Sequence, residues 1–268
     1  MENIDTLKHS ESGPPRYRLS NANVFVSPCG YHYIDYLDPV EDISPEIDES
    51  ELTDEEITYI EKSLQSNVER FDNQISILKS LLSIRNKKVL DIGCGGGLFL
   101  SKLESEGAKV TGLELSDIRA HYAKTKHNLE IIKRPIESDF WKERYSSTFD
   151  VVTLWDVIEH VNYPLSTLRS SSYVLKSGGF LFIDTPCRDS FYHRVGEITY
   201  RLSNGRFPTF LNAMYSAHKF GHKQIFSTCE IKSLFEEANL EVIELKSFMN
   251  FHFHTVFISR RYLSQILW

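Results

Sequence analysis

The sequence predicts an α/β fold in which a doubly wound, mostly parallel sheet of seven strands has helices on both faces. Two observations predict it. From residue 87 onward, short apolar runs alternate with segments of helical periodicity, which is the pattern of parallel strands joined by crossover helices. The first of these runs, Lys88–Ile92, ends in a glycine-rich turn that opens a helix. The 268 residues are 41% hydrophobic and 25% charged, which suits a globular fold.

Residues 1–52 form an N-terminal acidic arm that we expect to be partly ordered. Twelve acidic residues and no Lys or Arg lie between Asp35 and Glu61, so this stretch carries a charge of −12 and the rest of the chain carries +5. A dense run of one charge sign is typical of a solvated segment. We therefore interpret the acidic stretch as a solvated linker.

Residues 53–86 are predicted to form a helical cap. Thr53 and Glu56 have the spacing of a capping box, and apolar residues then recur at intervals of three and four from Ile57 to Leu82. This periodicity predicts one long amphipathic helix or two in succession.

The third predicted region, residues 87–268, contains the sheet. A helix is expected from Leu98 to Gly107, a second from Pro164 to the glycine pair at 178 and 179, and a third after the capping box of Ser227 and Glu230. The predicted strands are Lys88–Ile92, Lys109–Glu114, Leu129–Lys133, Asp150–Leu154, Phe180–Asp184, Glu241–Ser247 and His252–Ser259.

An insertion at residues 188–226 interrupts this alternation. From Arg188 to Gln224 it holds six basic and two acidic residues, a net charge of +4, together with seven aromatic residues and three histidines. In open α/β sheets, ligands bind at the carboxyl ends of the strands, and loops at that edge cover them. We interpret the insertion as a lid on the side of the second substrate.

Several classes of protein are disfavoured by composition. No apolar stretch approaches the roughly 18 residues of a membrane-spanning helix, and the N-terminus lacks the basic and apolar regions of a secretion signal. The four cysteines contain no CxxC pair, so reduced thiols and a cytoplasmic location are expected. The formal net charge of −7 disfavours nucleic acid as a partner.

The strongest motif is the turn after the first strand of the sheet, Asp91-Ile92-Gly93-Cys94-Gly95-Gly96-Gly97. Glycines let the backbone turn sharply and let a nucleotide approach it closely. A nicotinamide fingerprint would need a small residue at position 98, which is Leu98. The pattern DxGxGxG instead resembles that of the class I S-adenosylmethionine-dependent methyltransferases, which are Rossmann-like, and the resemblance extends from residue 87 to the C-terminus.

The resemblance implies S-adenosylmethionine as cofactor and S-adenosylhomocysteine as product. Glu114, at the end of the second strand, matches the acid that binds the ribose hydroxyls, and residues 135–137 match the loop that contacts adenine. Asp91 would fix the methionine end or would hold the loop amides, and Trp155 would pack against the sulfonium or belong to the core. The expected cofactor-binding residues are Asp91, Gly93, Cys94, Gly95, Gly97, Glu114, Leu115, Pro135, Ile136, Glu137, Trp155 and Asp156.

A second motif follows the fourth strand. Asp156, Glu159 and His160 are spaced i, i+3 and i+4, so one helical turn would point all three in the same direction. This run resembles the subgroup that includes the ubiquinone-biosynthesis O-methyltransferases. In one interpretation His160 is the general base for an acceptor hydroxyl and Glu159 orients it.

In a second interpretation these three residues bind a divalent metal that lowers the pKa of the hydroxyl. The small-RNA 3′-end 2′-O-methyltransferases add a downstream histidine, a place that His222 would take. Asp156 departs from the glutamate usual in such sites. In a third interpretation the run is a polar structural turn.

The expected function is S-adenosylmethionine-dependent O-methylation of a small-molecule, sugar or lipid-linked hydroxyl. The alternatives are a metal-dependent 2′-O-methyltransferase of RNA 3′ ends and a non-catalytic, cofactor-binding scaffold. Cys29 and Gly30 resemble the remnant of a zinc knuckle found before the catalytic domain in some related methyltransferases. Because no second cysteine pairs with Cys29, we expect no zinc there.

Overall fold

The computed structural model describes residues 13–39, 44–48, 50–247 and 254–261. The chain divides into two compact units. We call Glu41–Trp155 with Tyr173–Leu181 the glycine-loop unit. We call Met1–Val40, Asp156–Ser172 and Phe182–Trp268 the insertion unit.

Seven strands form the predicted sheet in the order β10-β11-β8-β7-β4-β5-β6. β4 pairs in parallel with β5 and β7, β5 pairs in parallel with β6, and β10 pairs antiparallel with β11. The predicted Rossmann-like class is confirmed. The strands are β4 (Lys88–Ile92), β5 (Lys109–Leu113), β6 (Ile131–Ile132), β7 (Phe149–Trp155), β8 (Leu175–Pro186), β10 (Leu240–Ser247) and β11 (His254–Arg261). Residues 252 and 253 of the last predicted strand lie outside the described residues.

The helix before β8 ends earlier than predicted. It is α6, Pro164–Val174, and β8 begins at the next residue and runs through the glycine pair. A Cβ on Gly179 would lie 3.0 Å from the carbonyl oxygen of Asp150. The glycine therefore allows close backbone approach within the sheet and does not end the helix.

The glycine-loop unit contains the predicted helical cap as two helices. They are α1 (Asp54–Ser66) and α2 (Val68–Leu81), and Thr53 and Glu56 make both hydrogen bonds of the capping box. The further helices of this unit are α3 (Leu98–Ser105), α4 (Asp117–His127) and α5 (Asp139–Tyr145). α3 begins where the sequence predicts, directly after Gly97.

Part of the acidic stretch makes hydrogen bonds to this unit while residues 44–46 and 48 are exposed, and its interpretation as a solvated segment stays a prediction. The backbone N–H of Asp48 donates to Oδ1 of Asp117 (3.0 Å), and Nδ1 of His121 lies 2.9 Å from the carbonyl oxygen of Asp48. Asp117 is also paired with Lys133, whose ammonium reaches the carbonyl oxygen of Glu46 at 3.4 Å. Specific hydrogen bonds therefore order this segment.

The insertion unit has a second sheet that was not predicted from the sequence. Its antiparallel strands are β1 (Tyr17–Arg18), β2 (Asn23–Val26), β3 (His32–Ile34) and β9 (Gln224–Ile225). The insertion also supplies α7 (Phe191–Leu202) and α8 (Thr209–Asn212), and α9 (Thr228–Glu237) follows with the predicted capping box. Residues of the arm and of the insertion share one apolar cluster, Tyr17, Val24, Ile34, Leu211, Tyr215 and Ile225.

In the part of the chain that the structure describes, no helix combines the length and the apolar character needed to cross a membrane.

Candidate active site

The glycine-rich turn between β4 and α3 is fastened to the neighbouring strand β5. The N–H groups of Gly93 and Cys94 both donate to the carbonyl oxygen of Leu113, at 2.7 and 3.0 Å. Gly93, Gly95 and Gly97 have φ angles of 74°, 56° and 80°, in the left-handed region that glycine adopts without strain. The sequence can form this turn because glycine occupies each of these positions of positive φ.

Two of these glycines face different surroundings. A Cβ on Gly97 would lie 2.6 Å from Leu129 and 2.9 Å from Ala123, whereas a Cβ on Gly95 would have no neighbour within 4 Å. Gly97 is therefore required by packing. Gly95 leaves open space next to the backbone, which is what a closely bound ligand requires.

Glu114 follows β5 and is bound by two backbone amides. Its Oε2 accepts from the N–H of Gly95 and its Oε1 from the N–H of Ser116, both at 2.8 Å. The carboxylate is thus held in one orientation beside the loop. Each oxygen keeps a further lone pair, so the group can accept two hydroxyl donors of a ribose.

Asp91, at the end of β4, is buried beside the same turn. Its Oδ1 accepts from the hydroxyl of Thr153 at 2.6 Å. The pKa of Asp91 is raised to about 7, mainly by burial and to a smaller extent by the neighbouring Glu114 carboxylate, while the hydrogen bond from Thr153 opposes the shift. A cationic ligand group would favour the ionised carboxylate here.

The other predicted cofactor residues of this unit differ in exposure. Ile136 and Cys94 are buried, and Leu115, Pro135 and Glu137 are half-buried. A Cβ on Gly112 would meet the Cys94 sulfur at 2.6 Å, so this thiol faces β5.

Trp155 ends β7 and is nearly buried. Its ring meets that of Phe99 edge-on, with the centroids 5.7 Å apart. The observed contact is therefore a core contact, one of the two roles that the sequence left open.

The second motif lies in the insertion unit, on a turn and not on a helix. Asp156 has a φ of 53°, and its N–H donates to the carbonyl oxygen of Asp184 (3.0 Å). The N–H of His160 donates to the carbonyl oxygen of Val157 (2.9 Å), which closes a tight turn. The prediction that a single helical turn aligns Asp156, Glu159 and His160 is therefore wrong, because the left-handed residue breaks the helix at its first position.

The turn nevertheless brings three predicted side chains together. One ligand atom each from Glu159, His160 and His222 lies within 4.8 Å of the others. The imidazole centroids of His160 and His222 are 4.7 Å apart, and Nε2 of His160 lies 3.9 Å from Oε1 of Glu159. Asp156 is not a member of this group among the residues that the structure describes.

The buried Glu159 carboxylate is oriented by a neighbour on β8. Its Oε2 accepts from the hydroxyl of Thr185 at 3.0 Å. Burial lowers the pKa of His160, while the carbonyl of Gly221 and the carboxylate of Asp156 oppose that shift. His160 is therefore uncharged at neutral pH and can accept a proton or bind a cation.

A buried lysine that no sequence motif indicates holds this turn. Lys223, whose side chain is 2% exposed, donates from Nζ to Oδ2 of Asp38 (2.8 Å) and to the carbonyl oxygen of His160 (2.6 Å). Its backbone N–H donates to the carbonyl oxygen of Glu159 (2.8 Å), and burial lowers the pKa of its ammonium. Asn162 completes the network through two hydrogen bonds to the backbone of Asp38, at 2.9 and 3.0 Å.

Gln224 supports the same turn from β9. Its side-chain amide donates to the carbonyl oxygens of Ile158 (2.9 Å) and Val161 (2.6 Å). No motif points to Lys223, Asp38 or Gln224. The only sequence signal was a lysine and a glutamine directly after His222.

Comparisons with known proteins agree with this geometry. A model of the family described as "Methyltransferase domain" matches residues 59–245. A ubiquinone biosynthesis O-methyltransferase of Vibrio parahaemolyticus is 40% identical over 114 residues, which cover 41% of this chain and 48% of the relative. One of Yersinia pestis is 36% identical over 119 residues, covering 42% and 48%. The chain thus spans about half the length of the curated relatives it matches.

Solved structures share the fold at low identity. The magnesium protoporphyrin IX methyltransferase of Synechocystis, solved with bound S-adenosylhomocysteine, has a TM-score of 0.55 at 14% identity over 72% of this chain and 82% of its own. A methyltransferase of Thermotoga maritima, described as a possible histamine N-methyltransferase, has a TM-score of 0.54 at 20% identity over 76% and 95%. The family model covers most of the chain, and the glycine loop, the acid after β5 and the order of the sheet agree with it. The chain therefore belongs to the methyltransferase-domain family, within the class I S-adenosylmethionine-dependent methyltransferases.

Proposed function

We propose that the protein transfers a methyl group from S-adenosylmethionine to a hydroxyl of a small molecule, a sugar or a lipid-linked compound. The observation that carries the choice of oxygen is the group of Glu159, His160 and His222. A hydroxyl is a poor nucleophile until its proton is removed, whereas a neutral amine needs no such help. The names of the O-methyltransferase relatives support the same choice.

In this proposal the glycine-loop unit binds the cofactor. Bound S-adenosylmethionine would supply an electrophilic methyl group on its sulfonium, with S-adenosylhomocysteine as the leaving group. Glu114 accepts both ribose hydroxyls, since its carboxylate is already fixed by the N–H groups of Gly95 and Ser116. The carboxylate of Asp91 pairs with the ammonium of the methionine end, and that cation lowers the raised pKa of Asp91.

His160 is the proposed general base. Its neutral imidazole accepts the proton of the acceptor hydroxyl as the oxygen attacks. Glu159, oriented by Thr185, stabilises the imidazolium that forms. Because the acceptor must be aligned with the methyl group, we expect most of the acceleration to come from positioning and the remainder from the base.

The same three residues also fit a divalent metal. One carboxylate and two imidazoles within 4.8 Å of one another form a donor set that binds zinc, manganese or iron. Bound there, the metal would lower the pKa of the acceptor hydroxyl. Because His222 lies beside His160, metal binding does not require Asp156. This metal-dependent mechanism keeps an RNA 3′ end as a second candidate acceptor.

The cofactor assignment is tested by calorimetric titration with S-adenosylhomocysteine. We expect Glu114→Gln to weaken binding tenfold or more, about 1.4 kcal/mol, because the amide accepts at one atom only. The matched control is Glu106→Gln, whose exposed carboxylate pairs with Lys79 on the surface of the same unit. Absence of binding to the folded wild type would contradict the cofactor assignment.

The reaction is tested by transfer of a radiolabelled methyl group to phenols, sugars, lipid-linked alcohols and short RNA. We expect His160→Asn to lower kcat at least a hundredfold while binding of S-adenosylhomocysteine is unchanged. Chelation and Co²⁺ absorption spectra separate the two mechanisms. A metal site requires His222, gives a Co²⁺ spectrum that His222→Asn abolishes, and loses activity on chelation. Retained turnover in both histidine variants would contradict this assignment.

A further inference from the structure

The helix α7 presents its polar side to the rest of the insertion unit. His193 is fully buried and lies near Tyr215, with 3.5 Å between Nε2 and the phenol oxygen. Glu197 accepts from the phenol of Tyr17 at 2.8 Å, and the hydroxyl of Tyr200 accepts from the N–H of Arg18 at 2.8 Å. Surface helices of globular proteins bury their apolar side, so the orientation of α7 is reversed.

The apolar residues of α7 point outward. Phe191, Ile198 and Leu202 are 74%, 55% and 83% exposed, and their separations of seven and four residues place them on one stripe. Phe207 and Phe210, after the helix, are also exposed. Grouped exposure of large apolar side chains is uncommon in proteins that remain free in water and marks an interaction surface. We call the stripe of Phe191, Ile198 and Leu202 the apolar face.

The charges around this face are positive. Arg194 and Arg201 lie along one flank of the stripe at helical spacing, and Arg206 lies between the helix and Phe207. The only acidic residue of α7 is Glu197, and its carboxylate is already bound by Arg16 (3.0 Å) and Arg201 (2.6 Å). A partner that fits must therefore be apolar at its centre and negative at its edge.

We propose that the apolar face docks on the surface of an anionic lipid bilayer, with α7 lying in the plane of the interface. An interfacial helix has this pattern, with Phe, Leu and Ile entering the acyl boundary and arginines at the level of the phosphates. With twelve residues, α7 is about 18 Å long, too short to span a bilayer and long enough to lie in one. A lipid surface also has no fixed shape, so it accommodates side chains from the helix and from the following loop together.

A protein held on a bilayer meets acceptors that are themselves embedded in it. The inference therefore favours the lipid-linked hydroxyl among the acceptors proposed above. This choice of acceptor rests on the proposed function. The docking does not, because flotation with vesicles uses neither cofactor nor acceptor.

Flotation of the full chain with lipid vesicles tests the docking. The probes are vesicles of phosphatidylcholine alone and vesicles with phosphatidylglycerol added. We expect binding to the anionic vesicles that weakens with salt, and a decrease of about tenfold or more for Ile198→Ser with Leu202→Ser. Arg194→Gln with Arg206→Gln should weaken binding to anionic vesicles by about fivefold per arginine. The matched control is Ile243→Ser, an exposed isoleucine on β10, which should bind as the wild type does.

Tryptophan fluorescence and sedimentation give two further tests of the docking. Leu202→Trp should show blue-shifted emission that brominated lipids quench, whereas Ile243→Trp should show neither effect. Sedimentation without lipid reports the mass of the wild type and of the double serine variant. Absence of wild-type binding to anionic vesicles would overturn the proposal. So would a wild-type dimer that the serine variant dissociates, since the face would then bind a second copy of the chain.

Discussion

Burial shifts the pKa values of certain groups in opposite directions in the two units. In the glycine-loop unit it raises the pKa of an acid, Asp91, to about 7. In the insertion unit it lowers the pKa of two histidines, that of His32 to about 3 and that of His193 to about 4. In each case burial disfavours the charged form. The units therefore respond to pH in opposite directions, although the same physical cause acts in both.

The units also differ in how their sites are built. The proposed cofactor site of the glycine-loop unit consists of backbone turns and of acids at strand ends that are neighbours in the sheet. The turn of Glu159 and His160 depends instead on Asp38 and Lys223, which are 185 residues apart in the chain. We therefore expect single substitutions at distant positions to damage the second site far more than the first.

The largest expected effect is that of Lys223→Met. The substitution leaves the Asp38 carboxylate without its cation and removes the donor to the carbonyl of His160. Breaking a buried ion pair from one side costs about 3–5 kcal/mol. Hydrogen exchange should show this loss in the insertion unit, with the glycine-loop unit protected as in the wild type.

Two variants sharpen this test. Lys79→Met breaks an exposed pair with Glu106, which is worth about 0–1 kcal/mol. Asp38→Asn combined with Lys223→Met removes both charges and should recover part of the stability. Equal loss of protection in both units after Lys223→Met would contradict the comparison.

The contrast between the units also follows what the sequence could predict. The glycine loop, Glu114 and most strands of the large sheet were predictable because each depends on a pattern within a short stretch of sequence. The small sheet was not, because β1, β3 and β9 have two or three residues each, too few to show an alternation. Its pairing with the arm joins residues nearly 200 positions apart, such as His32 and Ile225.

The three predicted catalytic residues lie together as expected, although the helix on which that prediction was based does not form. The spacing of Asp156, Glu159 and His160 suggested a helix, whereas the chain makes a turn with Asp156 in the left-handed region. The two later residues meet His222 because Lys223 and Gln224 bind the carbonyls of the turn. Such backbone contacts leave no trace in a single sequence.

The next effect is the response of stability to acid. His32 and His193 have folded-state pKa values of about 3 and about 4, below the 6.5 of the unfolded chain. Their neutral forms stabilise the insertion unit above pH 6.5, and this stability is lost as the pH falls towards those folded values. Between pH 6.5 and 5 each histidine costs about 2 kcal/mol. The groups that face them are Arg188, Arg16, Asp189, Glu197 and the phenol of Tyr215.

Asp91 should act in the opposite direction. Its folded pKa of about 7 exceeds the unfolded 3.8, so the glycine-loop unit loses stability as the pH rises from 3.8 to 7. Hydrogen exchange at pH 7 and pH 5, corrected for the intrinsic rate, compares the two units within one sample. We expect the insertion unit to lose protection at pH 5 and the glycine-loop unit to gain it. Parallel changes in both units would show that the buried groups do not control the response.

A further prediction separates two glycines of one turn. Gly95→Ala and Gly97→Ala both place a Cβ in the left-handed region, at a cost of about 1–2 kcal/mol each. Only the Cβ at position 97 also overlaps Leu129 and Ala123, so Gly97→Ala should cost about 1–3 kcal/mol more in denaturant titration. At position 95 the new methyl group enters open space, so that variant should remain folded and bind S-adenosylhomocysteine more weakly. If Gly95→Ala binds S-adenosylhomocysteine as the wild type does, the space beside Gly95 is not the ligand site. Packing at Gly97 alone would then maintain the shape of the loop.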